Sequence, residues 1–468
     1  MNRQLERNET ADAPARIDAP PPVTAILADV CRAITFEGLP PDATTVAKQC
    51  VLDWLGVTIA GAAEPLSRIL RDLAAADGGA AQATLIPDGA RVTCSQAALV
   101  NGSAAHALDY DDVAVAMGHP TVPIVSALLA LAEERNASGR EFLAALVAGH
   151  EMEGRVATLV MPGHYSRGFH STGTVGAFGS AAACCHLMGL GAGEWCNALG
   201  VAGAQAAGLK AMFGTMSKPL QAGKAAANGL FAATLAEKGF TSNPDVLETA
   251  QGFAATQAPV AHFEEAVAGR GHLAILDTLF KYHAACYGTH ATIEGVLRLR
   301  QEHGIDPADV DVITLLVPTG NLAMCNIQQP ATGLEGKFSM RFTAAVALCD
   351  GQAHEGVFTD ARVTDPRLAA LRNRVNVEGS DNDPRATTVV IRLNDGSELR
   401  QRVDLNVPEH DLDRQWERLT DKFLGLASPV LGPGPAKQLA GTVRALDSVA
   451  SMREVVRLAV AVPAGSRP

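Results

Sequence analysis

The sequence predicts a mainly α protein: a large all-helical domain with a smaller α+β lid domain. Three observations carry this. Apolar residues recur at helical spacing through most of residues 23–277. The chain is 47% hydrophobic but only 4% aromatic, and rich in Ala and Gly, which suits closely packed helices better than a β-sandwich. Alternating apolar runs with a strong turn signal occur only beyond that region.

Taken in order, Thr24 to Ile34 places apolar residues at helical spacing. Pro41-Asp-Ala-Thr-Thr opens a second helix that runs through Val51-Leu-Asp-Trp-Leu to Ala60, with Gly61 as its stop. Gln96 to Leu108, Pro123 to Arg135, Gly139 to Leu159, Thr174 to Met188, Glu194 to Leu209 and Pro219 to Glu237 continue the series. Small residues on several faces let the helix axes approach closely. Thr289 to His303 and Phe338 to Asp350 are helical. Val310-Asp-Val-Ile-Thr-Leu-Leu-Val alternates as a strand, Arg374 to Glu378 is a short strand, and Thr387 to Leu393 and Leu399 to Leu405 flank the hairpin turn Asn394-Asp-Gly396. Helical pattern returns after Pro408, through Trp416 and from Val443 to Leu458. The expected division is a disordered arm over 1–22, a discontinuous helical domain over 23–277 and 409–468, and a lid over 278–408. No fixed-period repeat is present, which excludes a solenoid.

The formal charge is −12, from 38 basic and 50 acidic residues, which argues against nonspecific nucleic-acid binding and leaves room for a local basic pocket. Nine cysteines without a CxxC pair read as buried reduced thiols. The N-terminal segment lacks the apolar core of a signal peptide. The stretch from Gly168 to Gly193 is free of Asp, Glu, Lys and Arg, but it is mostly small and polar and reads as buried helix, with no membrane association. A cytoplasmic location is the expectation.

Four polar clusters interrupt the apolar helices: Asp109 to His119, Gly168 to Gly176 around His170, Gly214 to Lys224 around Lys218, and Lys281 to His290 around Cys286. In the first, three carboxylates and a histidine lie within eleven residues. Such groups are costly in an apolar setting unless solvated, paired or used. Each cluster also has a bland reading, as a helix cap, a solvated lysine or a packed thiol, and Asp111 and Asp112 are expected to be structural or capping residues. His150-Glu-Met-Glu153 is not a zinc HExxH pattern, Gly189-Leu-Gly-Ala-Gly193 lacks a preceding strand for dinucleotide binding, and no GxSxG elbow occurs. Nothing in the spacing of His119, His170 and Asp109 demands a metal.

The segments HALDYDD with GHP, GFHSTGTVGAFGSAAA, GTMSKPLQAGKAAANG, KYHAACYGTHATIEG and PATGLEGKFSMRF resemble, in order, the signature blocks of the MmgE/PrpD family, over residues 24 to 460. The resemblance implies a helical domain with an α+β lid, a homodimer, no metal or organic cofactor, and a small polycarboxylate substrate. It places a site between the domains, with Asp109, His119, His170 and Lys218 as catalytic residues and Lys281, Cys286, His290 and Arg341 as substrate-binding residues. The family's chemistry is proton transfer at a carbon next to a carboxylate, which needs a base and positive charge for the enediolate. His170 or Asp109 is the expected base and His119 the expected acid. Val113, Gln221, Cys286 and Phe342 depart from the patterns of better-known members. The last two stand where the family's decarboxylases look to carry His and Tyr. The expected reaction is therefore loss or addition of water, then epimerisation or isomerisation, with decarboxylation third. A noncatalytic helical scaffold is the competing class, and it predicts that the four clusters lie apart in space.

Overall fold

The computed structural model describes residues 20–383 and 386–461. Most of the expected disordered arm, residues 1–19, lies outside them. Helices dominate, and a small mixed sheet sits in the C-terminal part, as the mainly α prediction with an α+β lid required.

At the centre, the helices Cys94–His106, Thr121–Arg135, Ser171–Met188 and Ser217–Glu237 pack side by side. Small residues set how closely they approach. A methyl group on Gly223 would stand 2.3 Å from both the Leu99 carbonyl and the Ser103 hydroxyl, and one on Gly229 would stand 2.4 Å from Ser180 Cβ. Helix backbones meet at these points, so side-chain rearrangement cannot relieve the clash. Gly223→Ala is therefore expected to destabilise the protein by about 1–3 kcal/mol or more, from overpacking. Its urea midpoint should fall, whereas Gly441→Ala, which meets no atom within 4 Å, should leave the midpoint unchanged or raise it.

Thr93 and Gln96 form a reciprocal capping box at the start of Cys94–His106, as do Ser138 and Glu141 at Gly139–Val160. Each box satisfies two backbone donors that the first turn cannot. The helix expected over Glu194 to Leu209 runs instead from Ala192 to Gln205. Its last residues leave the helix because Leu209 pairs as a bridge with Phe169, and Gly208 O accepts from His170 N at 3.0 Å. Several elements escaped the periodicity reading: short helices such as Phe253–Gln257, Thr319–Cys325 and Pro366–Arg372, and two others. One is the amphipathic helix Pro65–Asp77. The other is the two-stranded ribbon β1 (Ala83–Thr84) and β2 (Arg91–Val92), whose strands are too short to show alternation.

The larger sheet contains β3 (Val310–Val317), β4 (Val375–Gly379), β5 (Ala386–Leu393) and β6 (Glu398–Asp404) in the order β4-β3-β5-β6. β3 and β4 are parallel, and the other pairs are antiparallel. The Asn394-Asp-Gly396 turn joins β5 to β6, with Gly396 at φ +87°. The helix Tyr287–His303 covers one face, where Gly295 admits Val389 and Val403. The returning helix Leu412–Leu431 lies on Pro41–Gly61, with Phe423 seated against Gly56. Among the described residues, no helix is long and apolar enough to cross a membrane.

Candidate active site

The polar clusters meet at helix ends. His119 precedes Thr121–Arg135, His170 immediately precedes Ser171–Met188, Lys218 is the second residue of Ser217–Glu237, and Cys286 immediately precedes Tyr287–His303. Asp109 lies just beyond the C-terminus of Cys94–His106. Side chains from all of these positions, together with Lys281, line one cavity of about 810 Å3. Four helix N-termini gathered at one cavity bias it toward an anion, because their free N–H groups carry partial positive charge.

The chain reaches this arrangement through tight local geometry. Asp109 adopts φ +51°, a left-handed conformation that Asp tolerates better than most residues. Gly118 at φ +88° brings the loop so close to the next helix that a Cβ there would stand 2.7 Å from Thr172 Oγ1. His119 N donates to that same hydroxyl at 3.1 Å. Val113 and Leu279 exchange backbone hydrogen bonds of 2.8 and 2.7 Å, which brings the Asp109 and Lys281 segments together. From behind, Lys422 donates to the carbonyls of Tyr110 at 2.6 Å and Lys281 at 2.8 Å, and pairs with Asp53 at 2.5 Å.

Asp109 is the electrostatic hub. Its Oδ1 lies 2.8 Å from Lys218 Nζ and 2.9 Å from Lys281 Nζ, and Lys281 also donates to its backbone carbonyl at 2.7 Å. Burial alone would raise its carboxyl pKa, but the two ammonium groups outweigh burial and hold it well below the usual range. Burial likewise works against the Lys281 charge, and Asp109 overcomes it, so the buried ammonium is held protonated. Asp109 is therefore an ionised organiser of two lysines, which does not suit the base role the sequence allowed it.

Two imidazoles face the same space. Burial pushes His119 down to about 4, against the pull of Asp111. Its Nδ1 stands 2.9 Å from Asp111 Oδ2, off the line of a well-formed hydrogen bond, and its Nε2 is 3.7 Å from Asp109 Oδ1. His170 is pushed down to about 2 by burial, then by His106 and Lys218. Its Nδ1 lies 2.7 Å from Gln221 Oε1. An amide oxygen only accepts, so that nitrogen carries the proton and Nε2 keeps the lone pair. Both rings are neutral near pH 7.

Two expected residues are not brought to the cavity. His290 turns into the protein interior, where its Nε2 lies 3.0 Å from the Ala285 carbonyl and its ring packs against His283 and Tyr287. Arg341 is spent on Asn326 and does not line the cavity. Of the structural or capping roles expected for Asp111 and Asp112, capping is not found, and both side chains are buried and partnered. Asp111 is buried with His106 Nδ1 at 2.8 Å, and His106 in turn underlies both His119 and His170 at ring distances of 4.5 and 5.9 Å. Asp112 is buried, accepts from Thr121, and is raised well above the carboxylate range by burial. The signal for His106 lay in the first block, five residues before Asp111. Gln221 stood out only as a departure, and its partner could not be read from spacing.

His106, Asp109, Asp111 and His119 lie close enough to resemble a metal cluster. The donor set does not fit one: two ammonium groups already occupy the Asp109 oxygen that a cation would need, and a third positive charge there would be repelled. Cys286 reaches the cavity wall, where the neighbouring Cys325 thiol lowers its pKa.

The family model for the MmgE/PrpD N-terminal domain matches residues 25–266, and that for the MmgE/PrpD C-terminal domain matches residues 283–448. The cis-aconitate decarboxylase of Mus musculus is 29% identical to this chain, covering 79% of each protein. The cis-aconitate decarboxylase of Homo sapiens is 28% identical over 86% of this chain and 87% of its own length, and that of Aspergillus terreus (strain NIH 2624 / FGSC A1156) is 26% identical over 93% and 96%. Matched across both of its halves, the chain belongs to the MmgE/PrpD family.

Proposed function

We propose that this protein is a lyase that acts on a small polycarboxylic acid by proton transfer at a carbon next to a carboxylate. The observation that carries the reading is the convergence on one cavity of two ammonium groups, Lys218 and Lys281, and two neutral imidazoles, His119 and His170. The described residues of 23–277 and 409–468 form the catalytic helical body, and those of 278–408 form the lid that carries Lys281 and Cys286 to the cavity.

Addition or loss of water is the favoured reaction. His119 Nε2 takes the proton from the carbon, and Asp111 behind the ring stabilises the imidazolium that forms, as an orienting carboxylate does in an Asp–His pair. The electron pair moves into the neighbouring carboxylate, whose enediolate charge is met by Lys281 and Lys218. The pair then returns to form the C=C bond and expels the hydroxyl on the next carbon, which leaves as water with a proton from Lys218. In the reverse direction the same His119 returns the proton to carbon, so it serves as base and acid in turn. His170, fixed by Gln221, accepts a hydrogen bond from the substrate through its bare Nε2.

The second reading is decarboxylation, favoured by the curated relatives, which are named as cis-aconitate decarboxylases. It uses the same lysines and delivers a proton to carbon as CO2 departs. Proton NMR in deuterated water with citrate, methylcitrate, cis-aconitate and aspartate-derived acids separates these outcomes. Interconversion of vinyl and carbinol signals is expected. CO2 release with loss of one carboxyl carbon establishes the second reading, deuterium entry without a new compound class makes the protein an epimerase, and no change with any acid sinks the enzyme reading.

A further inference from the structure

The cavity has a polar floor and a mouth where large apolar side chains are exposed beside a few polar ones. His170, Lys281 and Cys286 at the floor are buried. At the mouth, Val115 is 79% exposed, Met324 49%, Phe213 38% and Tyr165 37%, and all four line the same cavity. Four large side chains with exposed apolar surface around one opening offer a wall that an apolar ligand group can cover. Met161, Pro162 and Leu279 extend the apolar wall, while Ser166, His262, Glu265 and Arg270 also line the cavity.

The charge available at the floor is also limited. Lys218 and Lys281 share Asp109 between them, so the three groups carry one net positive charge. Arg270 at the mouth is tied to Asp277. Two ammonium groups give one direct partner to each carboxylate of a two-carboxylate head, and any further carboxylate relies on the helix N-termini. A volume of about 810 Å3 lies toward the upper end of the range for drug-sized ligands, roughly 300–1,000 Å3, and greatly exceeds what a six-carbon acid fills.

We propose that the acid this site accepts is amphipathic: a dicarboxylate head held at the Lys218–Lys281 floor, bearing an alkyl arm of several carbons that lies against Val115, Tyr165, Phe213 and Met324 at the mouth. This rests on the lyase reading for the identity of the head, and it adds the arm. The reacting carbon sits beside His119, and the arm points outward, so chain length changes binding without changing the atoms that react.

Saturated acids test the arm apart from the chemistry. Titration calorimetry of the full-length protein with succinate, methylsuccinate, butylsuccinate and hexylsuccinate should show affinity rising by about fourfold for each methylene buried, and at least about tenfold between succinate and butylsuccinate. In Met324→Asp and in Val115→Asp, each prepared separately so that one misfolded variant does not end the test, the ratio of butylsuccinate to succinate affinity should fall toward one. Equal affinities in the unmodified protein overturn the inference, as does a gain that survives both substitutions. Sedimentation at the same concentrations identifies a second copy of the chain covering the mouth, which would also abolish the gain and overturn it. A clear gain together with no turnover of any acid in the NMR assay overturns the lyase reading alone. Turnover of short acids with no gain overturns the arm alone.

Discussion

His119→Gln should lower kcat by roughly 100- to 10,000-fold, the usual contribution of a positioned acid–base group, while the unfolding midpoint stays within about 1 kcal/mol of the unmodified protein. Glutamine keeps the polar contact toward Asp111 but cannot take a proton. The pH profile supplies a second readout. Burial holds His119 at about 4 in the free protein, and its neutral form is the base. Thus kcat/KM should be flat through neutrality and fall tenfold per unit only below about pH 4, whereas an unperturbed histidine would give a break near 6.5. A break near 6.5, or a variant that keeps full activity, removes His119 as the base. Stability follows with a definite sign. His119 and the fully buried His150, also held at about 4, bind protons less readily when folded than when unfolded. Their contribution is therefore intact above about pH 6.5 and is lost as pH falls from there toward about 4. Urea unfolding across that window should show the decline.

Lys422→Ala should cost about 3–5 kcal/mol, the penalty for leaving one member of a buried ion pair alone. Lys422 and Asp53 have side chains only 4% and 2% exposed, with Nζ 2.5 Å from Oδ1. Burial pushes the carboxyl up and the ammonium down, so each depends on the other to remain charged. Lys422 also serves the site, because its ammonium binds the carbonyls of Tyr110 and Lys281, the neighbours of the Asp109–Lys281 contact. The double change Asp53→Leu with Lys422→Met should recover most of the stability, since an apolar pair of similar volume avoids desolvation. It should not recover kcat, since the two carbonyls still lack their shared donor. Recovery of both would make Lys422 purely structural. Full stability in Lys422→Ala would refute the pair.

How much was legible depends on whether a feature is local. The long helices follow from apolar spacing, and the Asn394-Asp-Gly396 hairpin from its turn residues, because both signals lie within a few residues of the structure they specify. The ribbon at residues 83–92 was not legible, because two-residue strands have no period to detect. The expected site residues Asp109, His119, His170, Lys218, Lys281 and Cys286 came from clusters and family blocks, and the structure brings all six to one cavity. His290 and Arg341 lie in the same kind of blocks but face away. A block marks a segment, while the direction of each side chain depends on what packs beneath it, such as the Ala285 carbonyl under His290.

The sequence by itself determined the helical class, the change to α+β beyond residue 277, the family, and the residue types available for proton transfer, all of which are encoded in periodicity, composition and ordered motifs. Only the tertiary structure decided their surroundings. Asp109 became an organiser because Lys218 and Lys281 arrive from segments 109 and 172 residues away along the chain. Asp111, read as a structural or capping residue, became the carboxylate between His106 and His119. The charge and proton affinity of a buried group are set by neighbours distant in sequence and by the water that folding removes, and neither is written in the group's own stretch of chain.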